Sequence, residues 1–283
     1  MSANNQSAQG GDNHINLYEP HVWKHHTKVA GLEWKNPVGT ASGTFQYAAV
    51  RWFYDVSQLG AVCTKGASPV PWEGNPSPRT AESPAGMVNA VGLQNPGVDH
   101  YLVDELPKLK ELGATVVTNV AGHSDDDYAQ VVAKLADSPA DMLEINVSCP
   151  NVSHGGMSVG TDPVALSRLI GHLRKLTSKP MIVKLSPNVT DIAGIARAAV
   201  ESGADALSLI NTLVGMRIDI RTGEPIISNR TGGVSGPAVF PVALGCVWRV
   251  RQALPYIPII GIGGIDSGEK ALEFLYAGAN AVE

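Results

Sequence analysis

The stretch Met181-Ile182-Val183-Lys184-Leu185-Ser186-Pro187, MIVKLSP, is apolar and β-branched at its centre and stops at a proline, the pattern of a short buried strand. The segments on either side have a different period. Residues 163–176 and 190–202 carry apolar side chains at helical spacing, with Asp162 and Asn188 in front of them as capping residues. This strand-and-helix unit recurs along the chain. Further strand candidates lie at 38–44, 60–66, 115–122, 142–148, 206–212 and 258–264, an eighth begins at Ala281, and 268–277 is another amphipathic segment behind Ser267. Strand followed by helix builds a parallel sheet, and eight such units close into an α/β fold of the (β/α)8, or TIM-barrel, type. A doubly wound open sheet is the alternative architecture.

Two segments break the rhythm. Residues 68–96 are proline-rich, and 213–237 hold several glycines and the turn signal Arg221-Thr222-Gly223-Glu224-Pro225. Both follow strand ends, so both are expected over the C-terminal mouth of the barrel as hairpins or lids. Chemistry in this fold gathers at that mouth. The polar residues agree: Ser42, Lys65, Asn119, Asn146, Lys184, Asn211 and the pair Gly263-Gly264 all fall late in their strands. One polar strand end is unremarkable, whereas seven around one mouth make a lined pocket.

Composition excludes several kinds of partner. The 283 residues are 44% hydrophobic and 17% charged, with a net charge of −5. A chain of that length buries a large core as one barrel domain. Its 21 lysines and arginines are scattered, so no basic field exists for nucleic acid or anionic lipid. No apolar run approaches the roughly 20 residues of a membrane span. Residues 1–27, rich in Asn, Gln, Ser and His, lack the apolar centre of a signal peptide and read as a disordered polar tail, His25-His26 included, ahead of a barrel domain from 28 to 283. Cys63, Cys149 and Cys246 lie 86 and 97 residues apart, which fits no zinc or iron–sulfur ligand spacing. Reduced thiols and a cytoplasmic location follow.

Particular residues suggest the chemistry. Lys184 must bury its stem beside Ile182 and Leu185, so its ammonium needs an anion or a hydrogen-bonding ring close by. It is a candidate counter-charge for a reduced cofactor. Asn89, Asn146, Asn151 and Asn211 offer both donors and acceptors, which suits a flat amide-bearing ring such as a flavin or a pyrimidine. The run Gly261-Ile262-Gly263-Gly264 ends a strand just before a helix, the usual phosphate position after strand 7, although a tight turn alone would also want glycine. Cys149 sits in Asn146-Val147-Ser148-Cys149-Pro150-Asn151, between carboxamides and ahead of Gly155-Gly156. A thiol on such a loop suits proton abstraction better than protease-type attack. Cys63 and Cys246, within apolar segments, read as packing residues.

Seven segments together carry a resemblance: Thr40-Ala41-Ser42-Gly43, Thr64-Lys65-Gly66, Asn89-Ala90-Val91-Gly92-Leu93-Gln94-Asn95, Thr118-Asn119-Val120-Ala121-Gly122, the cysteine segment 146–151, Gly232-Gly233-Val234-Ser235-Gly236 and 261–264. In this order, over residues 29 to 283, the chain closely resembles the dihydroorotate dehydrogenases. The resemblance implies an FMN-dependent oxidation of dihydroorotate to orotate. Cys149 matches the base that takes the C5 proton while hydride leaves C6 for the flavin; the membrane-associated class has serine there, so cysteine indicates the soluble class. Lys65, Asn89, Ala90, Val91, Gly92, Leu93, Asn146, Asn151, Asn211 and Thr212 match the substrate pocket. Ser42, Lys65, Gly66, Asn119, Asn146, Lys184, Ile210, Gly236, Gly263 and Gly264 match the FMN contacts, with Lys184 set to stabilise the anionic reduced ring.

The continuation Ser153-His154-Gly155-Gly156-Met157-Ser158-Val159-Gly160 resembles the NAD-linked form of the family. That form implies a partner subunit carrying FAD and a [2Fe–2S] cluster, around a homodimeric core in a heterotetramer. This chain has neither cluster ligands nor a dinucleotide fingerprint of its own. The resemblance also implies a longer C-terminus, so the eighth unit is expected to be truncated, with the edges of strands 1 and 7 left unpaired and FMN held less firmly. Three other readings stand beside this one: a pyrimidine-reducing flavin barrel like that of dihydropyrimidine dehydrogenase, a flavin-free lyase with a Schiff base on Lys184 or Lys65, and a catalytically silent binding barrel.

Overall fold

The computed structural model describes residues 26–45, 55–148 and 159–283. Eight parallel strands form its central sheet. They are β1 (Gly39–Thr40), β2 (Ala61–Cys63), β3 (Val116–Val120), β4 (Met142–Asn146), β5 (Met181–Leu185), β6 (Ala206–Leu209), β7 (Ile259–Gly261) and β8 (Ala281–Val282), hydrogen-bonded in that order. A parallel bridge from Val38 to Val282, with the Val282 amide donating to Pro37 O at 2.8 Å, joins the two ends. The sheet is therefore a (β/α)8 barrel. The expectation of bare edges on strands 1 and 7 is not met, because two residues of β8 pair with β7 and reach Val38.

Helices fill the outside. They are α1 (Val98–Val103), α2 (Glu105–Glu111), α3 (Asp125–Leu135), α4 (Pro163–Arg174), α5 (Ile192–Glu201), α6 (Phe240–Ala253) and α7 (Gly268–Tyr276). In α4, Leu166, Leu169, Ile170 and Leu173 are all buried, the spacing that lays one apolar stripe on the barrel. Asp162 caps α4 at the Val164 amide, and Ser267 caps α7 at the Lys270 amide. The expected cap Asn188 is not one. Asp191, three residues later, caps α5 through the Gly194 amide at 2.9 Å. Asn188 instead accepts from the Val214 amide and donates to Thr212 O, which ties the end of β5 to the segment after β6.

The two interruptions do more than hang over the mouth. Strands Thr80–Ser83 and Gly86–Asn89 from the first, and Leu213–Met216 and Thr231–Ser235 from the second, pair into one four-stranded antiparallel sheet. Val88 lies opposite Val234, so segments more than a hundred residues apart share a single lid.

At the other end a hairpin, Thr27–Val29 with Leu32–Trp34, closes the bottom. Thr27 thus already belongs to the folded domain, whereas residues 1–25 of the expected tail lie outside the described residues. Trp34 is fully buried against a cluster of barrel-lining side chains that includes Ala61, Val117, Met142, Ile182 and Ile260. Its indole N–H has no partner among the described residues. Trp34→Ala should therefore lower unfolding stability by about 3–5 kcal/mol, the usual scale for emptying a buried aromatic site. Trp34→Phe should cost far less, since it keeps the plug and removes an unpaired donor. Urea unfolding of both variants checks this, and equal losses would refute the plug.

Candidate active site

The parallel register sorts the inward-facing residues of the barrel into layers. Asn119 on β3 lies level with Glu144 on β4, and Glu144 level with Ile182 on β5. One layer nearer the mouth, Asn146 pairs with Lys184 and Lys184 with Ser208 on β6. An ordinary barrel fills these positions with branched apolar side chains. Here the middle of the barrel is polar.

Glu144 is its hub and is fully buried. Its Oε1 accepts from Asn119 Nδ2 at 2.6 Å and from Cys63 Sγ at 3.3 Å, and lies 3.7 Å from Lys184 Nζ. Its Oε2 accepts from Ser208 Oγ at 2.7 Å. Burial acts to lower the pKa of the Lys184 ammonium, but Glu144, with Glu283 and Cys63 beyond it, outweighs burial and leaves it raised. Burial, reinforced by Glu144, pushes the Cys63 thiol well up, so Cys63 is a neutral donor. Burial and Glu144 likewise hold the Glu283 carboxyl well above the usual range. Cys63, Glu144 and Glu283 lie close together, but a lysine on the same carboxylate makes the cluster an ion-pair network and a poor cation cage.

Above this layer stand the residues singled out from the sequence. Ser42, Lys65, Gly66, Ile210, Asn211, Gly263 and Gly264 lie just past the C-terminal ends of their strands, and Asn119, Asn146 and Lys184 within them. Asn211 Nδ2 donates to Asn146 Oδ1 at 3.0 Å, and Asn211 Oδ1 accepts the Thr212 amide at 2.8 Å. The hydroxyl of Tyr128 on α3 donates to Asn146 O at 2.6 Å and holds the strand end from outside. Thr212 packs on Gly233 so closely that any side chain at Gly233 would collide with it. Asn89 Nδ2 donates to Gly233 O at 3.3 Å. The set Asn146, Asn211, Thr212, Gly233 and Asn89 is thus contiguous from mouth to lid. Ala90 to Leu93 continue the lid strand, with Ala90 held through its amide to Arg79 O.

Lys65 is half-buried, and among the described residues no carboxylate pairs with it; burial alone holds its pKa below the ordinary lysine value. A half-buried cation with no described carboxylate beside it calls for an anion. The Asn119 amide also has spare capacity. Glu144 fixes its Nδ2, which leaves Oδ1 buried beside Gly66 with no partner among the described residues. A Cβ on Gly66 would sit 2.9 Å from that oxygen, so glycine keeps the space open. Leaving such an acceptor unpaired costs about 1–3 kcal/mol, which a ring N–H would recover.

The glycines of 261–264 meet a partner that the sequence did not suggest. Ser267 caps its own helix, while a Cβ on Gly264 would fall 2.8 Å from Gly236 O and 3.0 Å from Phe240 N. Gly236, Gly263, Gly264 and the start of α6 therefore converge, all three glycines at positive φ. The start of α6 has no side-chain cap; instead its first amides are taken locally, Val239 N–H by Gly236 O and Phe240 N–H by Pro237 O.

Cys149 and Asn151 lie outside the described residues. Their neighbours are placed: Ser148 N donates to Asn146 Oδ1, and Gly160 N to Val147 O. Sequence reasoning missed Glu144, Ser208 and Tyr128. A signal existed for the first, since a glutamate inside MLEIN and a lysine inside MIVKL are each out of place alone and explain one another. Cys63 and Cys246 are buried free thiols, as expected.

A (β/α)8 barrel with a lidded, amide-rich mouth over buried charge, a glycine cradle and a lysine that no described carboxylate pairs offers groups complementary to a flat polar ring with an anionic group. Comparison with known proteins gives the family. The family described as dihydroorotate dehydrogenase matches residues 24–283, and the chain belongs to it. Relatives named dihydroorotate dehydrogenase B (NAD(+)), catalytic subunit, include those of Alkaliphilus metalliredigens (52% identical over 258 residues) and Geotalea daltonii (51% over 258 residues). A third, from Listeria monocytogenes, is 50% identical over 257 residues; in each case 90% of this chain and 84% of the relative are covered. Among the described residues no helix is long and apolar enough to cross a membrane.

The convergence of glycines is testable by stability. Gly264→Ala places a side chain at φ +72 against Gly236 and Phe240. The left-handed backbone alone costs about 1–2 kcal/mol. A thermal melt should show at least that loss, and a variant as stable as the parent would show that the cradle is loose.

Proposed function

We propose that this chain oxidises (S)-dihydroorotate to orotate in pyrimidine biosynthesis, as the FMN-bearing catalytic subunit of an NAD-linked dihydroorotate dehydrogenase. The observation that carries this reading is the unpaired Lys65 at the same barrel mouth as the Asn146–Asn211 amides, in a chain of this family. Dihydroorotate is a pyrimidine amide ring bearing one carboxylate, the chemistry those groups complement.

FMN suits the second half of the receptor. The orphaned Asn119 oxygen would take a ring N–H, the Lys184 ammonium answers negative charge on the ring, and the cradle of Gly236, Gly263 and Gly264 offers amides to a phosphate. Ser42, Lys65, Gly66, Asn146 and Ile210 complete the holding set. When bound, FMN supplies the acceptor for the hydride leaving C6 of the substrate.

The chain's own residues do the rest. Lys65 fixes the substrate carboxylate, while Asn89 through Leu93, Asn146, Asn151, Asn211 and Thr212 fix the ring. Cys149 takes the proton from C5, which is α to a carbonyl, and the carboxamides stabilise the charge that builds on that carbonyl oxygen as the C5–C6 double bond forms. The lid sheet excludes water. Electrons then leave through a partner, for which we propose a subunit with FAD and a [2Fe–2S] cluster, on a homodimeric core of a cytoplasmic heterotetramer. The naming of the relatives as catalytic subunits supports a partner of this kind.

Two variants test the assignment. Cys149→Ala should keep bound FMN and lose at least ~10²-fold in single-turnover flavin reduction, the scale of a positioned base; reduction near the parent rate would remove Cys149 from that role. Lys65→Met should weaken orotate roughly ten- to hundredfold, equivalent to about 1.5–3 kcal/mol for a charged hydrogen bond. The parent should also lose orotate affinity as pH rises, starting below the ordinary lysine range. The sign follows from the shift: the Lys65 pKa is lowered in the free protein, and a bound carboxylate raises it, so binding takes up a proton above the free value. Orotate titrations across pH, in parent and Lys65→Met, check both points, and a pH-independent parent would contradict the pairing.

A further inference from the structure

A buried ion pair that served stability alone would gain little, because two apolar side chains of similar volume pack at least as well. The pair here is also oriented. Lys184 stands level with Asn146 at the mouth, while Glu144 lies one layer deeper and is fully buried. The carboxylate is held by Cys63 and Asn119 on one oxygen and by Ser208, level with Lys184, on the other, so it cannot move without breaking those bonds. The lysine it pairs with stands on its mouth side.

We propose that Glu144 is the positioning residue of this site: it anchors the Lys184 ammonium under the mouth and turns the Asn119 carbonyl oxygen toward Gly66, so that one buried carboxylate presents both a cation and an acceptor to the reduced flavin. This rests on the FMN reading above and goes beyond it, since Glu144 itself lies beneath the residues that would touch the cofactor. The other titratable groups facing Lys184 are Cys63 on β2 and Glu283 after β8, both pushed well up by burial; Glu144, 3.7 Å from the ammonium, is the strongest of the charges that hold it. A glutamine at 144 would lack the charge that holds the lysine. It would also present an amide N–H2 toward Asn119 Nδ2 or Ser208 Oγ, and the Asn119 side chain would be free to turn over.

The sign of one measurement separates this role from simple electrostatics. If Glu144 acted on the ring directly, removing its negative charge would make anionic reduced FMN easier to form and raise the midpoint potential. If it acts through Lys184, Glu144→Gln lets the ammonium lose its place or its proton, and the potential falls. We expect reduced FMN to be bound about tenfold less tightly relative to oxidised FMN, which is a fall of ~30 mV for a two-electron couple. In a Lys184→Met background the same substitution should produce no fall.

The experiment is a spectroscopic redox titration of FMN bound to the parent, Glu144→Gln, Lys184→Met and the double variant. A fall confined to the background that retains Lys184 supports the proposal. An unchanged or raised potential in Glu144→Gln overturns it, as does the same fall in both backgrounds. If Glu144→Gln does not fold, restoration of folding by adding Lys184→Met supports the pairing, because only the uncompensated ammonium then needed the glutamate. A double variant that also fails, while Lys184→Met folds, would show that Glu144 holds the barrel and would overturn the proposal. A parent chain that binds no FMN would instead overturn the flavin reading, and this inference with it.

Discussion

The pairing of Lys184 with Glu144 inside the barrel is the constraint from which the rest of the site follows. A lysine at a strand position that is 5% exposed cannot keep its charge without a carboxylate, and a carboxylate at 0% exposure cannot keep its own without donors. Each therefore recruits neighbours. Glu144 takes Asn119, Ser208 and Cys63, which fixes three further strands in register around it. The barrel gives up a layer of branched apolar packing there and gains a fixed dipolar floor under its mouth. Trp34 and the apolar layer beneath it seal that floor from water.

The lid is the second consequence of where chemistry sits. Strand ends leave backbone groups and polar side chains facing solvent, and in this chain two long excursions return to cover them. One is stitched to the barrel by the Asn188 carboxamide, which bonds Thr212 O and the Val214 amide, and the two are joined to each other by Asn89, which donates to Gly233 O. Those bonds and the backbone ladder of the sheet give the mouth a fixed roof. A fixed floor and a fixed roof would hold a planar ring at low entropic cost, which is what the proposed transfer between two stacked rings requires.

Local pattern exposed much of this. Short apolar strands, helices with period 3.6 and polar residues clustered late in strands made the barrel and the location of the mouth readable, because each depends on neighbours within a few residues. Long-range partners were not readable. Nothing within Gly86–Asn89 or Thr231–Ser235 says that the two pair, since antiparallel strands far apart in sequence carry no mutual signal. Asn188 looked like a cap because Asn favours that position, and the bond to the Val214 amide that claims it comes from beyond the next strand. Gly236 against Gly264 and Glu144 beneath Lys184 failed in the same way: each residue was visible, its partner was not. Lys184 came nearest, for its burial demanded an anion that the adjacent strand already held.

The central claim is that floor, mouth and lid together oxidise a dihydropyrimidine carboxylate. Anaerobic titration of the FMN-loaded chain with (S)-dihydroorotate, followed by flavin absorbance and by orotate formation, tests it most directly. The account predicts bleaching of the oxidised flavin with stoichiometric orotate before any partner subunit or NAD is added; bound flavin that stays oxidised in excess dihydroorotate would contradict it.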